Sequence, residues 1–203
     1  ALPHLIEKYQ IKTFLDAPCG DFFWMKELVP VLTPLLDQYI GVDIVSSVVQ
    51  QNTERYGNDK FSFRNMDITR DALPKADLIF TRDCFLHLSY ENIIKALTVY
   101  KASGSKYLMT SYYTDPVPNQ NCPSYYMEGR HLNLELRPFN FGKPLELVDE
   151  ETVEPIGWTD KHMGLWEIQS LPAIILDPAL DKYTPPKPPS IMRRVYNRLS
   201  RFM

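Results

Sequence analysis

Apolar and polar positions along this chain repeat with two alternating periods. Leu2, Leu5, Ile6 and Tyr9 recur at helical spacing and predict a short amphipathic lead-in helix. "IKTFLDA" reads as a buried strand ending at Asp16, and "FFWMKELVPVL" as a helix disturbed by Pro30. "QYIGVDIV" is a second strand, followed by the helix "SSVVQQNTERYG" with Ser46 or Ser47 as N-cap and Gly57 as stop signal. "KFSFRNMDI" and "ADLIFTRDC" are the third and fourth strands, "SYENIIKALTVYKASG" a helix, and "SKYLMTSYY" the fifth strand. Strands alternating with helices over about a hundred residues require parallel pairing with right-handed crossovers, the doubly wound, Rossmann-like α/β architecture.

After Tyr113 the rhythm breaks. Residues 113–144 are rich in Pro, Asn and aromatics, and a loop of that length inside a domain is usually functional. Its Tyr, Phe and Leu content argues for ordering against the body of the protein. "LELVDEE" and "HMGLWEIQSLP" then predict an antiparallel hairpin that completes a mostly parallel, seven-stranded sheet. The organisation expected is one domain over 1–177, with 113–144 as an insertion. Residues 178–203 form a proline-rich spacer and a basic amphipathic helix. That helix, with Tyr196, Leu199 and Phe202 among its arginines, could face a neighbouring domain, a subunit or an anionic membrane surface.

Composition narrows the picture. With 203 residues, 44% hydrophobic content and a net charge of −3, the chain suits a globular domain and does not advertise a long polyanionic partner. Cys19, Cys84 and Cys122 are odd in number and lack metal-ligand spacing, which suggests reduced thiols and a cytoplasmic setting. No apolar run reaches the ~18 residues of a membrane span. The opening "ALPHLIEKYQ" is no secretion signal, and without an initiating Met it suggests a trimmed chain or one domain of a longer polypeptide.

The chemistry concentrates at strand ends. Asp16, Asp43, Asp67 and Asp83 fall at or just past the carboxyl ends of the first four strands, the edge where open α/β sheets bind ligands. The dinucleotide pattern G-x-G-x-x-G falls on Pro18, Gly20 and Phe23, and a phenylalanine at the third position prevents the close helix–strand packing that NAD binding uses. Gly20 alone lets backbone approach a ligand, and the helix it opens can hold a carboxylate. Asp43 can accept from ribose hydroxyls with Ile44 packing on a base. Asp67 can accept from an adenine amine with Ile68 offering its N–H, and Asp16 can orient the turn and attract an ammonium. An amine, a carboxylate, a ribose and an adenine together describe S-adenosylmethionine.

"FLDAPCGDFFW", "YIGVDI", "NMDI" and "LIFTRDCFLHL", in this order and spacing, resemble the class I S-adenosylmethionine-dependent methyltransferases over roughly residues 1–112. The glycine positions of that family's first motif fall here on Pro18, Gly20 and Phe22, so only the middle one is kept. "DAPCGDFFWM", "RDCFLHLS", "LNLELRPFNFGKPLELVDEE" and "GLWEI" further resemble small glycan-assembly methyltransferases. These include viral ones from large chlorella viruses whose acceptor is a deoxyhexose such as rhamnose.

The resemblance implies transfer of a methyl group to a sugar hydroxyl. His87 is the first choice of general base, because an imidazole titrates near working pH. Asp83 would orient it, bind the acceptor or itself act as base. Arg82 could pair with Asp83 or contact the cofactor, and Trp24 packs the loop or touches the cofactor, as Pro18 does. Arg130, His131 and Asn133 in the insertion are the expected acceptor contacts. No cluster with metal-ligand spacing is visible, so no obligate metal is expected. The rivals are a small-molecule O-methyltransferase and an RNA methyltransferase. The Asn/Asp-Pro-Pro-Tyr signature of amino-group methylation is absent, and only the tail is basic, so no nucleic-acid partner is expected.

Overall fold

A computed structural model describes residues 1–123, 129–150, 160–179 and 181–182. Its strands are β1 (Thr13–Asp16), β2 (Gln38–Asp43), β3 (Phe61–Asn65), β4 (Leu78–Thr81), β5 (Tyr107–Tyr113), β6 (Glu146–Asp149) and β7 (Lys161–Glu167). They form one seven-stranded sheet in the order β3-β2-β1-β4-β5-β7-β6. The five strands from β3 to β5 pair in parallel, while β7 runs antiparallel to both β5 and β6. This is the Rossmann-like sheet with a reversed final hairpin that the sequence predicts. The order reverses between β1 and β4, which places the switch point beside Asp16.

Strand alternation sorts the core onto two faces. Leu15, Ile40, Ile79 and Leu108 share one face with Ile93, Leu97 and Tyr100 of α4 (Tyr90–Ala102). Phe14, Tyr39, Phe63 and Phe80 share the other with Leu5 and Ile6 of α1 (Leu2–Lys8). Both faces of the inner strands are therefore covered, which accounts for their unbroken apolar runs. The insertion joins the first face through Leu132, Leu134, Phe139 and Phe141, with the Phe139 ring 5.2 Å edge-on from Tyr90.

Two local expectations are corrected. The helix predicted from Phe22 is a 3-10 turn at Met25–Leu28 followed by the single-turn α2 (Val29–Leu32). Pro30 cannot supply an N–H for a continuous ladder, and Phe22 itself has a left-handed φ of 60°. Helix α3 (Ser46–Tyr56) is capped by neither serine: Val45 is its N-cap, and the Val45 N–H is taken by Asp43 Oδ1 at 2.9 Å. Gly57 ends α3 in extended backbone, where a Cβ would lie 2.5 Å from the Thr53 carbonyl oxygen. Ser89 does cap α4, accepting the Asn92 N–H at 3.3 Å. Among the described residues no helix is long and apolar enough to cross a membrane. Most of the predicted proline-rich spacer and all of the basic helix lie outside the described residues.

Candidate active site

The turn after β1 forms a cradle. Gly20 adopts φ +54°, a conformation that favours glycine, and a Cβ placed there would meet nothing within 4 Å, so open space lies over this backbone. Two side chains hold the turn. Asp43 Oδ2 accepts the Gly20 N–H at 3.1 Å, and Asn52 Nδ2, 2% exposed, donates to the Gly20 carbonyl at 2.8 Å. The glycines missing from the turn are thus offset by a carboxylate from β2 and an amide from α3. Asp43 reaches two N–H groups, Gly20 and Val45, one on each oxygen. Each oxygen keeps a second lone pair for a vicinal diol.

Beside the turn lies a cavity of about 320 Å³ lined by Pro18, Ile44, Met66, Asp67, Ile68 and Leu88, with Thr69, Cys84 and Asn92 completing the wall. Ile44 is 65% exposed, unusual for so apolar a side chain unless something flat covers it. Asp67 Oδ1 accepts both the N–H and the hydroxyl of Thr69, at 2.9 and 2.7 Å. Its Oδ2 lies 3.8 Å from Arg70 Nε, which leaves it able to accept from an exocyclic amine.

Asp16 lies beneath the switch point. Its Oδ2 accepts a short hydrogen bond from the Tyr39 hydroxyl. Burial pushes its carboxyl up to about 7, an effect that the Tyr39 bond opposes and the nearby Asp43 reinforces. Its other oxygen accepts no hydrogen bond from the described residues. Burial also pushes the Cys84 thiol to about 12 and the Cys19 thiol higher still, so neither is a thiolate nucleophile at neutral pH.

On the acceptor side, Asp83 follows β4 with a left-handed φ of 50°, and its N–H donates to Ser111 Oγ at 3.0 Å. A non-glycine residue held in that region costs about 1 kcal/mol or more and is tolerated best by Asp and Asn. The carboxylate is paired with Lys161 Nζ at 2.9 Å rather than with His87. His87 ends a 3-10 turn, Phe85–His87, and its ring abuts the insertion: a Cβ on Gly129 would come within 3.1 Å of its Cε1.

Arg82 is drawn into the same network. Its Nε donates to Glu150 Oε1 at 2.6 Å, its NH2 lies 3.9 Å from Asp83, and its guanidinium sits 4.8 Å over the Trp24 ring. Trp24 is therefore packed between Arg82 and Phe80, and the pair braces the first turn against the fourth strand.

Two expected acceptor contacts turn inward. The Arg130 guanidinium is buried, with NH1 against Cys122 Sγ and 3.4 Å from the Leu86 carbonyl, and it lies 5.4 Å over the Tyr90 ring. Asn133 is 3% exposed, with Nδ2 donating to the Thr114 and Asp115 carbonyls and Oδ1 accepting from the Glu135 N–H. Its job is to staple the insertion to the end of β5. His131 stays at the sheet edge, stacked 4.7 Å from Tyr113. Sequence reasoning missed Tyr39, Asn52, Glu150 and Lys161. Each acts through a partner distant in the chain, and nothing local marks it.

No family model matches the chain. The fold is that of solved methyltransferase structures. The methyltransferase domain of a bacterial Hen1, CtHen1, superposes with a TM-score of 0.60 at 12% identity, covering 82% of this chain and 95% of that one. An S-adenosylmethionine-dependent methyltransferase from Clostridium acetobutylicum gives 0.54 at 14% identity, covering 81% and 87%. The N-methyltransferase NodS from Bradyrhizobium japonicum gives 0.53 at 9% identity, covering 82% and 93%. These likenesses establish the fold. In sequence, the chain is 46% identical over 55 residues to phosphoethanolamine N-methyltransferase of Plasmodium falciparum, a match to 26% of this chain and 21% of that protein's length.

Proposed function

We propose that the protein is an S-adenosylmethionine-dependent methyltransferase acting on a hydroxyl of a sugar or glycan, with a deoxyhexose such as rhamnose as the leading acceptor. The observation that carries the cofactor is the cavity beside the turn, whose walls give an apolar slot for a base (Pro18, Ile44, Ile68), next in the chain to a diol acceptor (Asp43) and an open glycine turn. The residues present fit the group: Asp16 would meet the amine end, Asp43 the ribose and Asp67 the adenine amine. The bound cofactor would supply an already activated methyl group on a sulfonium.

The chain's own part is alignment and proton management. In this reading His87 takes the proton of the attacking hydroxyl as the oxygen–methyl bond forms and the methyl–sulfur bond breaks, and Asp83, fixed by Lys161, orients the acceptor. The insertion covers His87 at Gly129 and limits water there. The hydroxyl and sugar preference rests on the motif resemblance and on the aromatic insertion. The Plasmodium likeness favours a second reading, a small phosphorylated amine as acceptor.

Turnover of methyl-labelled cofactor against sugars, oligosaccharides, phosphoethanolamine, phenols and RNA separates these readings. Labelling of phosphoethanolamine or RNA in place of any sugar would refute the glycan acceptor. His87→Ala is expected to lower turnover by about 10²–10⁴-fold with cofactor affinity retained; an unchanged rate removes the imidazole from the reaction.

A further inference from the structure

We infer that Asp115, His131 and Asp160 form a binding site for a divalent cation of the Mn²⁺ class, one that clips the insertion to the edge of the sheet. The three come from separate segments: Asp115 two residues past β5, His131 from the insertion, and Asp160 just before β7. One donor atom from each lies within 4.8 Å of the other two. Donors on one octahedral ion with bonds of about 2.1 Å stand ~3.0 Å apart when adjacent and ~4.2 Å when opposite. The observed spacing is therefore close to that of a bound set. This juxtaposition is invisible in the sequence, where the three positions show no ligand spacing, and it revises the expectation that no metal-binding cluster is present.

Each donor is held from behind. The His131 ring is stacked on Tyr113 with an interplanar angle of 23°, which fixes its orientation. Asp160 Oδ2 accepts the Asp115 N–H at 2.6 Å, tying two ligands together through backbone. His162 Nδ1 lies 2.6 Å from the Asp160 carbonyl and fixes the same residue from two positions on. His131 and Asp160 are well shielded, with side chains 12% and 16% exposed, and His131 Nε2 lies 3.7 Å from Asp160 Oδ2. Asp115 is exposed and, with His131, lines a groove of about 350 Å³ that also includes Pro118, Gln120 and Gly129.

Charge points the same way. Two carboxylates converge here, and Lys161 pairs with Asp83 and Glu150 instead, while Arg130 lines the groove but sets its NH1 against Cys122 and the Leu86 carbonyl. Among the described residues, neither Asp115 nor Asp160 pairs with a lysine or arginine. Two hard oxygens and one imidazole suit Mn²⁺ better than Ca²⁺ or Mg²⁺, which favour all-oxygen sets. Three protein donors leave three positions for water or for oxygens of a molecule in the groove. Binding would join β5, the insertion and β7 through one ion. The inference does not rest on the proposed reaction.

The test uses the protein with neither cofactor nor acceptor. Titration with Mn²⁺ alone, followed by calorimetry and by loss of the free-ion paramagnetic resonance signal, is expected to show one saturable site and a Tm that rises with Mn²⁺ concentration. His131→Phe keeps the ring stacked on Tyr113 but removes the nitrogen donor. Asp160→Asn keeps an acceptor for the Asp115 N–H but removes the charge. Each should weaken Mn²⁺ binding at least tenfold, while Glu54→Gln on the exposed face of α3 should leave it unchanged. Three results would overturn the inference: no saturable binding, affinity in both site variants equal to that of the unaltered protein, or tighter binding of Mg²⁺ or Ca²⁺ than of Mn²⁺. The first would mean that His131 and Asp160 are neighbours that hold no ion between them.

Discussion

Asp16 offers the sharpest test of how the site is built. Its carboxyl is fully buried, and burial lifts it from the ordinary 3.8 to about 7. A raised carboxyl means the folded state holds a proton that the unfolded chain has released. The stabilising contribution is therefore fully present below pH ~4 and is lost as pH rises through about 7. At 1.36 kcal/mol per unit, the group should make unfolding easier at pH 8 than at pH 5 by about 2–3 kcal/mol. Asp16→Asn keeps an oxygen to accept the Tyr39 hydroxyl and cannot ionise, so it removes that slope. Urea unfolding of both proteins at several pH values between 5 and 8 isolates the effect, because every other titrating group is shared. Parallel stability curves for the two proteins would refute the assignment.

The same proton bears on binding. If the amine of the cofactor needs an ionised Asp16, affinity at pH 6 should be about tenfold below that at pH 8. Calorimetry in buffers of differing ionisation enthalpy should then register proton release near neutrality. The Asn variant should bind weakly and without this pH dependence. Binding that ignores both pH and the variant would place the amine elsewhere.

Other perturbations probe the remaining supports. Asp43→Ala removes the diol acceptor and the brace on the Gly20 and Val45 N–H groups, and should raise the cofactor Kd at least tenfold in calorimetry. Lys161→Met strips the buried cation from Asp83 and Glu150. Since the Asp83 side chain is 38% exposed and Glu150 keeps Arg82, the stability loss should be about 2 kcal/mol, short of the 3–5 typical of fully buried pairs. An undiminished midpoint in urea would argue against the pairing. Gly41→Ala places a Cβ 2.6 Å from Phe63 Cδ1, inside a ring cluster with Phe22 and Tyr39, and should cost about 1–3 kcal/mol by denaturant titration.

The sheet was legible because its determinants are local. Each inner strand is a short apolar run closed by a polar turn, and the alternation of Phe14 with Leu15 or Ile79 with Phe80 reflects two covered faces. Helix ends were read less well, because tertiary bonds displaced the local signals: Asp43 takes the Val45 N–H where a serine cap was expected, and Pro30 with Phe22 shortens the first crossover helix to a turn. The strand-end acids stood out for the same local reason, each following an apolar run.

What holds those acids in place could not be read, since Asn52, Tyr39 and Lys161 lie 32, 23 and 78 residues from the groups they hold. The insertion shows both outcomes. Its polar residues suggested an acceptor surface, yet a buried backbone must satisfy its own carbonyls and N–H groups, and Asn133 meets that demand instead. His131 instead stacks its flat face on the Tyr113 ring and holds its edge near the two carboxylates. Chemistry at this edge therefore depends less on which polar residues the insertion contains than on which of them the end of β5 holds beside the groove.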